Sequence, residues 1–109
     1  MAEDVIIVDD TNFEKEVKQS KLLVIVDCYA DWCGPCKLFG PVFESVAVNY
    51  KGKAKFCKLN VDNAGEVVGS LGVFSVPTTL FLKNGEEVDR VTGALDEYRF
   101  KQKIDQVLK

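Results

Sequence analysis

The sequence of 109 residues contains no histidine. Histidine is the side chain that most readily serves as a general base near neutral pH, and it is the commonest metal ligand in proteins, zinc included. Any acid–base chemistry that this protein performs must therefore use the side chains of Asp, Glu, Lys, Tyr or Cys.

Surplus positive charge and long apolar segments are also lacking. Asp and Glu outnumber Lys and Arg by 17 to 14. The basic residues form no stripe, so we expect no nucleic-acid partner. The longest apolar run, residues 22–26, is far too short to cross a bilayer. The start of the chain lacks the basic-then-apolar order of a signal peptide. These features predict a soluble cytoplasmic protein with no membrane association.

The chain reads as one α/β domain over residues 1–109, without linkers or repeats, and we expect a monomer. Apolar runs predict strands at residues 5–8, 22–29, 54–61, 78–83 and 87–92. Helical spacing and capping signals predict helices at residues 11–20, 34–49, 64–71 and 95–108. Thr11 and Glu14 fit a capping box, and Asn84-Gly85 predicts a tight hairpin. The order β-α-β-α-β-α-β-β-α favours early parallel strands and a late antiparallel pair.

The chain has four cysteines, and two of them, Cys33 and Cys36, stand three positions apart. They lie where a buried strand is predicted to end and a helix to begin, with Gly34 and Pro35 between them. Unpaired amide groups and the positive dipole end of that helix favour a thiolate at Cys33, the reactive form of cysteine. Cys36, one turn further, can act as the resolving thiol. This context favours thiol–disulfide chemistry over half of a zinc site or an incidental pair.

A metal-binding alternative uses all four cysteines. The spacing Cys28-x4-Cys33-x2-Cys36, with Cys57 later, matches that of plant-type iron–sulfur proteins. Cys28 belongs to an apolar predicted strand rather than to an irregular cluster loop. We therefore favour the redox interpretation, in which the protein holds no metal. A further alternative is a binding role as a subunit of a larger complex, which would survive loss of Cys33 and Cys36.

The segment DCYADWCGPCK, residues 27–37, resembles the active site of the thioredoxin family. Further matches at residues 58–62, 76–78, 81–85 and 93–94 extend the resemblance over essentially the whole chain. It implies a thioredoxin fold, with a five-stranded mixed β-sheet flanked by four α-helices. It also implies a thiol–disulfide oxidoreductase that reduces target proteins through the Cys33/Cys36 dithiol. An NADPH-dependent thioredoxin reductase would recycle it, with no cofactor beyond its own redox-active disulfide.

The resemblance assigns roles to residues near the dithiol. Asp27 interrupts an apolar strand, where desolvation should raise its pKa. By resemblance it accepts the proton of Cys36; the alternative is a strand-end residue that caps the loop. Lys58 matches the family lysine near that aspartate. It either tunes the aspartate or is simply a solvated lysine of the strand. Gly34 and Pro35 place no cation between the cysteines, which favours a reductant over an oxidase or a thiol isomerase.

The resemblance also implies a surface that receives the target. The bond between Val76 and Pro77 should be cis, and the Val76 backbone could pair with an extended target segment. Phe74 stands where the family commonly has a polar residue, and it either enlarges this surface or packs on the short helix. We expect Trp32 on the surface rather than in the core. The predicted substrate-binding residues are Trp32, Val76, Pro77, Gly93 and Ala94.

The remaining cysteines, Cys28 and Cys57, each lie next in sequence to a residue of this site. By resemblance Asp27 and Lys58 face the same side of neighbouring strands. Side chains alternate along a strand, so Cys28 and Cys57 should both face the opposite side. They are either reduced thiols in the core or a second disulfide between two strands. A reducing compartment favours reduced, buried thiols.

Overall fold

Five strands form one mixed sheet in the computed structural model, which describes residues 4–109. The strands are β1 (Val5–Val8), β2 (Leu23–Tyr29), β3 (Ala54–Asn60), β4 (Thr78–Lys83) and β5 (Glu86–Thr92). The predicted strands are confirmed to within one residue at each end. Across the sheet their order is β1-β3-β2-β4-β5. Strand β3 runs parallel to β1 and β2, whereas β4 is antiparallel to both β2 and β5.

Four helical segments flank this sheet. A short π-helical segment (Glu14–Lys18) is followed by α1 (Gly34–Asn49), α2 (Gly65–Leu71) and α3 (Glu97–Leu108). A single 3-10 turn also lies between β3 and α2. Helix α1 begins and ends where the sequence predicted. Helix α3 begins two residues later than predicted, because the Asp96 carboxylate caps it by accepting the N–H of Arg99 at 2.8 Å.

The first helical segment begins differently from the prediction. The predicted capping box at Thr11 and Glu14 was wrong. Asp9 Oδ1 accepts the N–H of Thr11 at 2.8 Å, and Asn12 Oδ1 accepts the N–H of Asp9 at 2.8 Å. This is the reciprocal pattern of a capping box, placed two residues earlier. Asp caps helices at least as well as Thr, so the Asp9 carboxylate caps this segment in place of the Thr11 hydroxyl.

Apolar cores lie on both faces of the sheet. Helices α1 and α3 cover one face, where Phe39, Phe43, Phe56, Phe81 and Phe100 pack together. The π-helical segment and α2 cover the other face, which includes Cys28 and Cys57. Strand β2 is buried on both faces, as its nearly continuous apolar sequence predicted. Its single charged residue, Asp27, lies on the face covered by α1 and α3, because side chains alternate along the strand.

Candidate active site

Cys33 and Cys36 are joined by a disulfide at the start of α1, with their Cα atoms 5.3 Å apart. Cys33 is the N-cap residue of the helix, and its Sγ accepts the N–H of Cys36 at 3.2 Å. The same N–H can stabilise a thiolate on Cys33 after reduction. Pro35 occupies the first turn, where its missing N–H would have no helical partner. Both cysteines are buried, whereas Gly34 and Pro35 are exposed.

The cis peptide bond between Val76 and Pro77 lies beside this disulfide. The carbonyl oxygen of Val76 is 3.6 Å from Cys33 Sγ. The Pro77 carbonyl accepts the N–H of Gly93 at 2.8 Å, and Gly93 has a φ of 101°, a backbone conformation that favours glycine. Ala94, the next residue, is exposed. The structure thus places Val76 against Cys33 and links Gly93 to Pro77, the residue that follows Val76.

An apolar groove of about 190 Å³ opens on the same side of the molecule. Trp32 is 71% exposed and donates its indole N–H to Asp62 Oδ2 at 3.1 Å, so it lies on the surface and not in the core. Phe74 is 94% exposed, and it extends the groove rather than packing into the protein. The groove is lined by Trp32, Val61, Val68, Val73, Phe74, Ser75 and Val76.

Asp27 is fully buried, and neither of its carboxyl oxygens has a hydrogen-bond partner. It lies between Lys58 of β3 and Thr79 of β4, which are its register partners in the sheet. Burial raises the pKa of Asp27 from 3.8 to about 7 because it penalises the charged form. The positive charge of Lys58 acts against this shift and the negative charge of Glu44 adds to it. The predicted rise in pKa is therefore present, with burial as the main cause.

Lys58 lines a second opening, which Cys36 also lines. This cleft has a volume of about 460 Å³, and Cys36, Gly40, Glu44 and Lys58 are among the residues that line it. Lys58 Nζ is 3.5 Å from Glu44 Oε2 and 4.7 Å from the centre of the Tyr29 ring. Lys58 is thus held by a carboxylate and an aromatic ring, which differs from a solvated strand lysine.

Sequence reasoning missed Glu44 and Thr79 as members of the site. Glu44 lies in the middle of α1 and meets Lys58 only because α1 packs across β3. Thr79 faces Asp27 only through the antiparallel pairing of β4 with β2. No local signal in the sequence marks either contact.

Cys28 and Cys57 are free, fully buried thiols in the core on the opposite face of the sheet. They are two residues out of register, since Cys28 pairs with Leu59 and Cys57 with Val26. Burial raises the pKa of each thiol to about 12. The predicted reduced state is confirmed, and the second disulfide is not formed. Within residues 4–109 no three His, Cys, Asp or Glu side chains converge to hold a metal ion, so the four-cysteine cluster does not assemble.

The fold and the disulfide site together define the protein as a thiol–disulfide oxidoreductase. The family model described as Thioredoxin matches residues 4–106. A protein named Thioredoxin from Chlorobaculum thiosulfatiphilum is 45% identical over 97 residues, which cover 89% of this chain and 90% of that protein. The Thioredoxin of Pseudomonas aeruginosa is 38% identical over 105 residues, covering 96% of this chain and 97% of that protein. The chain belongs to the thioredoxin family.

Family membership confirms the predicted thioredoxin fold, with its five-stranded mixed sheet and four helices. Members of this family act on disulfide-containing targets, and their redox group is a disulfide of the protein itself. Among the helices of residues 4–109, none is long and apolar enough to span a membrane.

Proposed function

We propose that this chain acts in the cytoplasm as a monomeric, single-domain electron carrier that reduces disulfides of target proteins. An NADPH-dependent thioredoxin reductase returns it to the dithiol form. This proposal rests on one observation, which is that Cys33 and Cys36 have different surroundings. Cys33 Sγ lies against Val76, which lines the apolar groove, whereas Cys36 lines the cleft that also holds Lys58. One sulfur therefore borders an apolar groove, and the other borders a cleft whose lining includes the charged side chains of Glu44 and Lys58.

The first step is attack by the Cys33 thiolate on one sulfur of a target disulfide. The target S–S bond breaks, one target sulfur leaves as a thiolate, and the other is bonded to Cys33. The N–H of Cys36, 3.2 Å from Cys33 Sγ, stabilises the attacking thiolate. Gly34 and Pro35 contribute to redox tuning by adding no further positive charge, so that the dithiol form is not over-stabilised and the protein is a reductant.

The second step releases the target. Cys36 loses its proton to Asp27, and its sulfur attacks Cys33. The bond between Cys33 and the target breaks, and the second target sulfur leaves as a thiolate. The target has then gained two electrons and takes up its protons from Asp27 and solvent. A carboxyl group with a pKa of about 7 suits this role, because it both accepts and returns a proton near neutral pH. Lys58 tunes this carboxyl group by its charge.

The target binds on the groove side. Its extended backbone pairs with Val76 next to the cis Pro77, in the manner of strand addition, and its side chains cover Trp32. The turn at Gly93 and Ala94, linked to Pro77 by the Gly93 N–H, also bounds this surface. These residues provide shape and apolar contact rather than chemistry, so changes here alter target binding more than the exchange reaction.

The order of the two thiols is tested by trapping. With Cys36→Ser, attack by Cys33 should stop at a stable mixed disulfide, and Cys33→Ser should trap almost no target because the attacking sulfur is gone. Equal trapping by both variants would overturn the assignment. Reduction of insulin disulfides, first with dithiothreitol and then with NADPH and a thioredoxin reductase, tests the direction and the recycling partner. A strongly oxidising reduction potential would point instead to an isomerase, and activity in a complex that survives loss of both cysteines would point to a structural role.

A further inference from the structure

The hydroxyl group of Thr79 has no partner, although it is fully buried. Within residues 4–109, the buried side-chain oxygen and nitrogen atoms that lack a hydrogen bond are Thr79 Oγ1 and the two carboxyl oxygens of Asp27. The two residues are register partners on neighbouring antiparallel strands, so their side chains stand on the same face of the sheet. Unpaired buried polar groups are rare because each one loses its bonds to water. Here two such groups are neighbours.

The preceding residue shows that this arrangement is particular to Thr79. Thr78 is also buried, but its hydroxyl donates to the carbonyl oxygen of Ser75 at 2.7 Å. Thr78 is paired with Cys28 and faces the other side of the sheet. One threonine of β4 therefore has a structural partner in a loop. The other is paired with Asp27 of β2 and with Val91 of β5, so the Asp27 carboxyl group is the polar side chain opposite it.

The other polar groups near Asp27 are directed elsewhere. From β3, Lys58 extends toward Glu44 and lies over the Tyr29 ring, at the mouth of the cleft. From α1, Glu44 brings a like charge, and Cys36 brings the thiol that must give up its proton. Cys28, the next residue of β2, faces the opposite core. From β4, Thr79 is left as the neutral group that can donate a hydrogen bond to the carboxylate.

We propose that Thr79 is a positioning residue for the proton transfer, whose hydroxyl donates a hydrogen bond to the Asp27 carboxylate that takes the proton of Cys36. Directly opposed side chains on antiparallel strands have Cβ atoms about 5 Å apart, so a change of the Thr79 χ1 rotamer brings Oγ1 within reach of the carboxylate. The hydroxyl group orients the carboxylate and favours its ionised form, which is the form that accepts the proton. This inference rests on the proposed role of Asp27 as the proton acceptor.

The test is the titration of Asp27 in the oxidised protein, followed by the NMR signal of its 13C-labelled carboxyl carbon. Thr79→Val keeps the shape of the side chain and removes the hydroxyl, and it should raise the pKa of Asp27 by about one unit, as expected for the loss of one hydrogen bond to a charged group. Thr79→Ser restores the hydroxyl and should restore the wild-type value. Thr78→Val is the matched control and should leave the Asp27 titration unchanged. If Thr79→Val does not fold, Thr79→Ala serves in its place.

The inference would be overturned if the pKa of Asp27 were unchanged in Thr79→Val, or if it rose by the same amount in Thr79→Ser. The rate of thiol–disulfide exchange gives an independent readout. At about pH 7, a rise of one unit lowers the ionised fraction of Asp27 and hence the rate by about fivefold, and the difference should vanish at alkaline pH. In an Asp27→Asn background, Thr79→Val should cause no further loss, and an additional loss would show a merely structural effect. The titration needs no target protein, so its outcome is separate from the trapping test of the proposed function.

Discussion

The buried carboxyl group of Asp27 should make the protein less stable as the pH rises through neutrality. In the unfolded chain this group ionises near its ordinary pKa of 3.8, whereas in the folded protein burial raises its pKa to about 7. Between these values the folded state holds one proton more than the unfolded state, so the free energy of unfolding falls as the pH rises. The stabilising contribution of the neutral carboxyl group is complete below pH 3.8 and is lost by the time the pH exceeds 7.

The size of the effect follows from the difference between the two pKa values. At about 1.4 kcal/mol per pH unit, it amounts to about 4 kcal/mol in total, of which about 3 kcal/mol falls between about pH 5 and about pH 8. Few other groups interfere in this range. Hydrogen bonds and ion pairs lower the pKa of Asp9, Glu16 and Asp89, which therefore titrate in acid. The chain has no histidine, and in the oxidised protein Cys33 and Cys36 do not titrate.

The assay is urea denaturation of the oxidised protein across this pH range. Wild-type protein should lose about 3 kcal/mol of unfolding free energy from about pH 5 to about pH 8, whereas Asp27→Asn should show little change because its side chain cannot ionise. Asp31→Asn, a substitution at an exposed position, should follow the wild-type curve. Parallel curves for wild type and Asp27→Asn would refute the reasoning, since Asp27 would then ionise equally in the folded and unfolded states.

Three further results are expected. In the reduced protein Cys33 and Cys36, each 5% exposed, should react with a thiol reagent in the native state, whereas Cys28 and Cys57, each 0% exposed, should react only after denaturation; four thiols reactive in the native protein would contradict this difference. Gly85→Ala should destabilise the protein by at least about 1 kcal/mol more than Gly52→Ala in thermal or urea unfolding. Both variants strain φ, and Gly85→Ala adds a steric clash. Both glycines have positive φ, but only at Gly85 would a Cβ lie 2.9 Å from a backbone oxygen of the π-helical segment. Asp10→Ala should lower unfolding free energy by about 1 kcal/mol and loosen α2 in hydrogen exchange, because the Asp10 carboxylate accepts two N–H groups at its start, at 2.9 and 3.2 Å.

Local periodicity was sufficient to predict most of the fold. The nearly continuous apolar run of β2 is buried on both faces, as predicted. Alternation along β2 and β3, combined with the family resemblance that puts Asp27 and Lys58 on one side, predicted that Cys28 and Cys57 share the opposite core, and they do. The turn at Asn84-Gly85 has the two positive φ angles, 52° and 82°, that the dipeptide predicted. The burial of β2 and the turn depend on neighbouring residues alone, and for that reason they can be read from the sequence.

The features that were missed depend on a choice between two possible capping residues or on packing between distant segments. The first cap was misplaced because Asp9 offers the same capping chemistry as Thr11 two residues earlier. The π-helical hydrogen bonding of residues 14–18 has no periodic signature in so short a segment. The contact between Lys58 and Glu44 joins residues 14 positions apart on different elements, and only the packing of α1 on the sheet creates it.

The separation of the two cysteine pairs by the sheet explains how one chain can carry four thiols and use two. The end of β2 holds Asp27 on the face toward α1 and, one residue later, Cys28 on the other face, so strand alternation alone puts the proposed proton acceptor and a buried thiol on opposite sides. Cys33 receives a backbone N–H that favours its thiolate, whereas burial raises the pKa of Cys28 and Cys57 to about 12 and keeps them protonated. Because exchange requires a thiolate that can reach a disulfide, oxidation stays within the Cys33/Cys36 pair while the fold is intact.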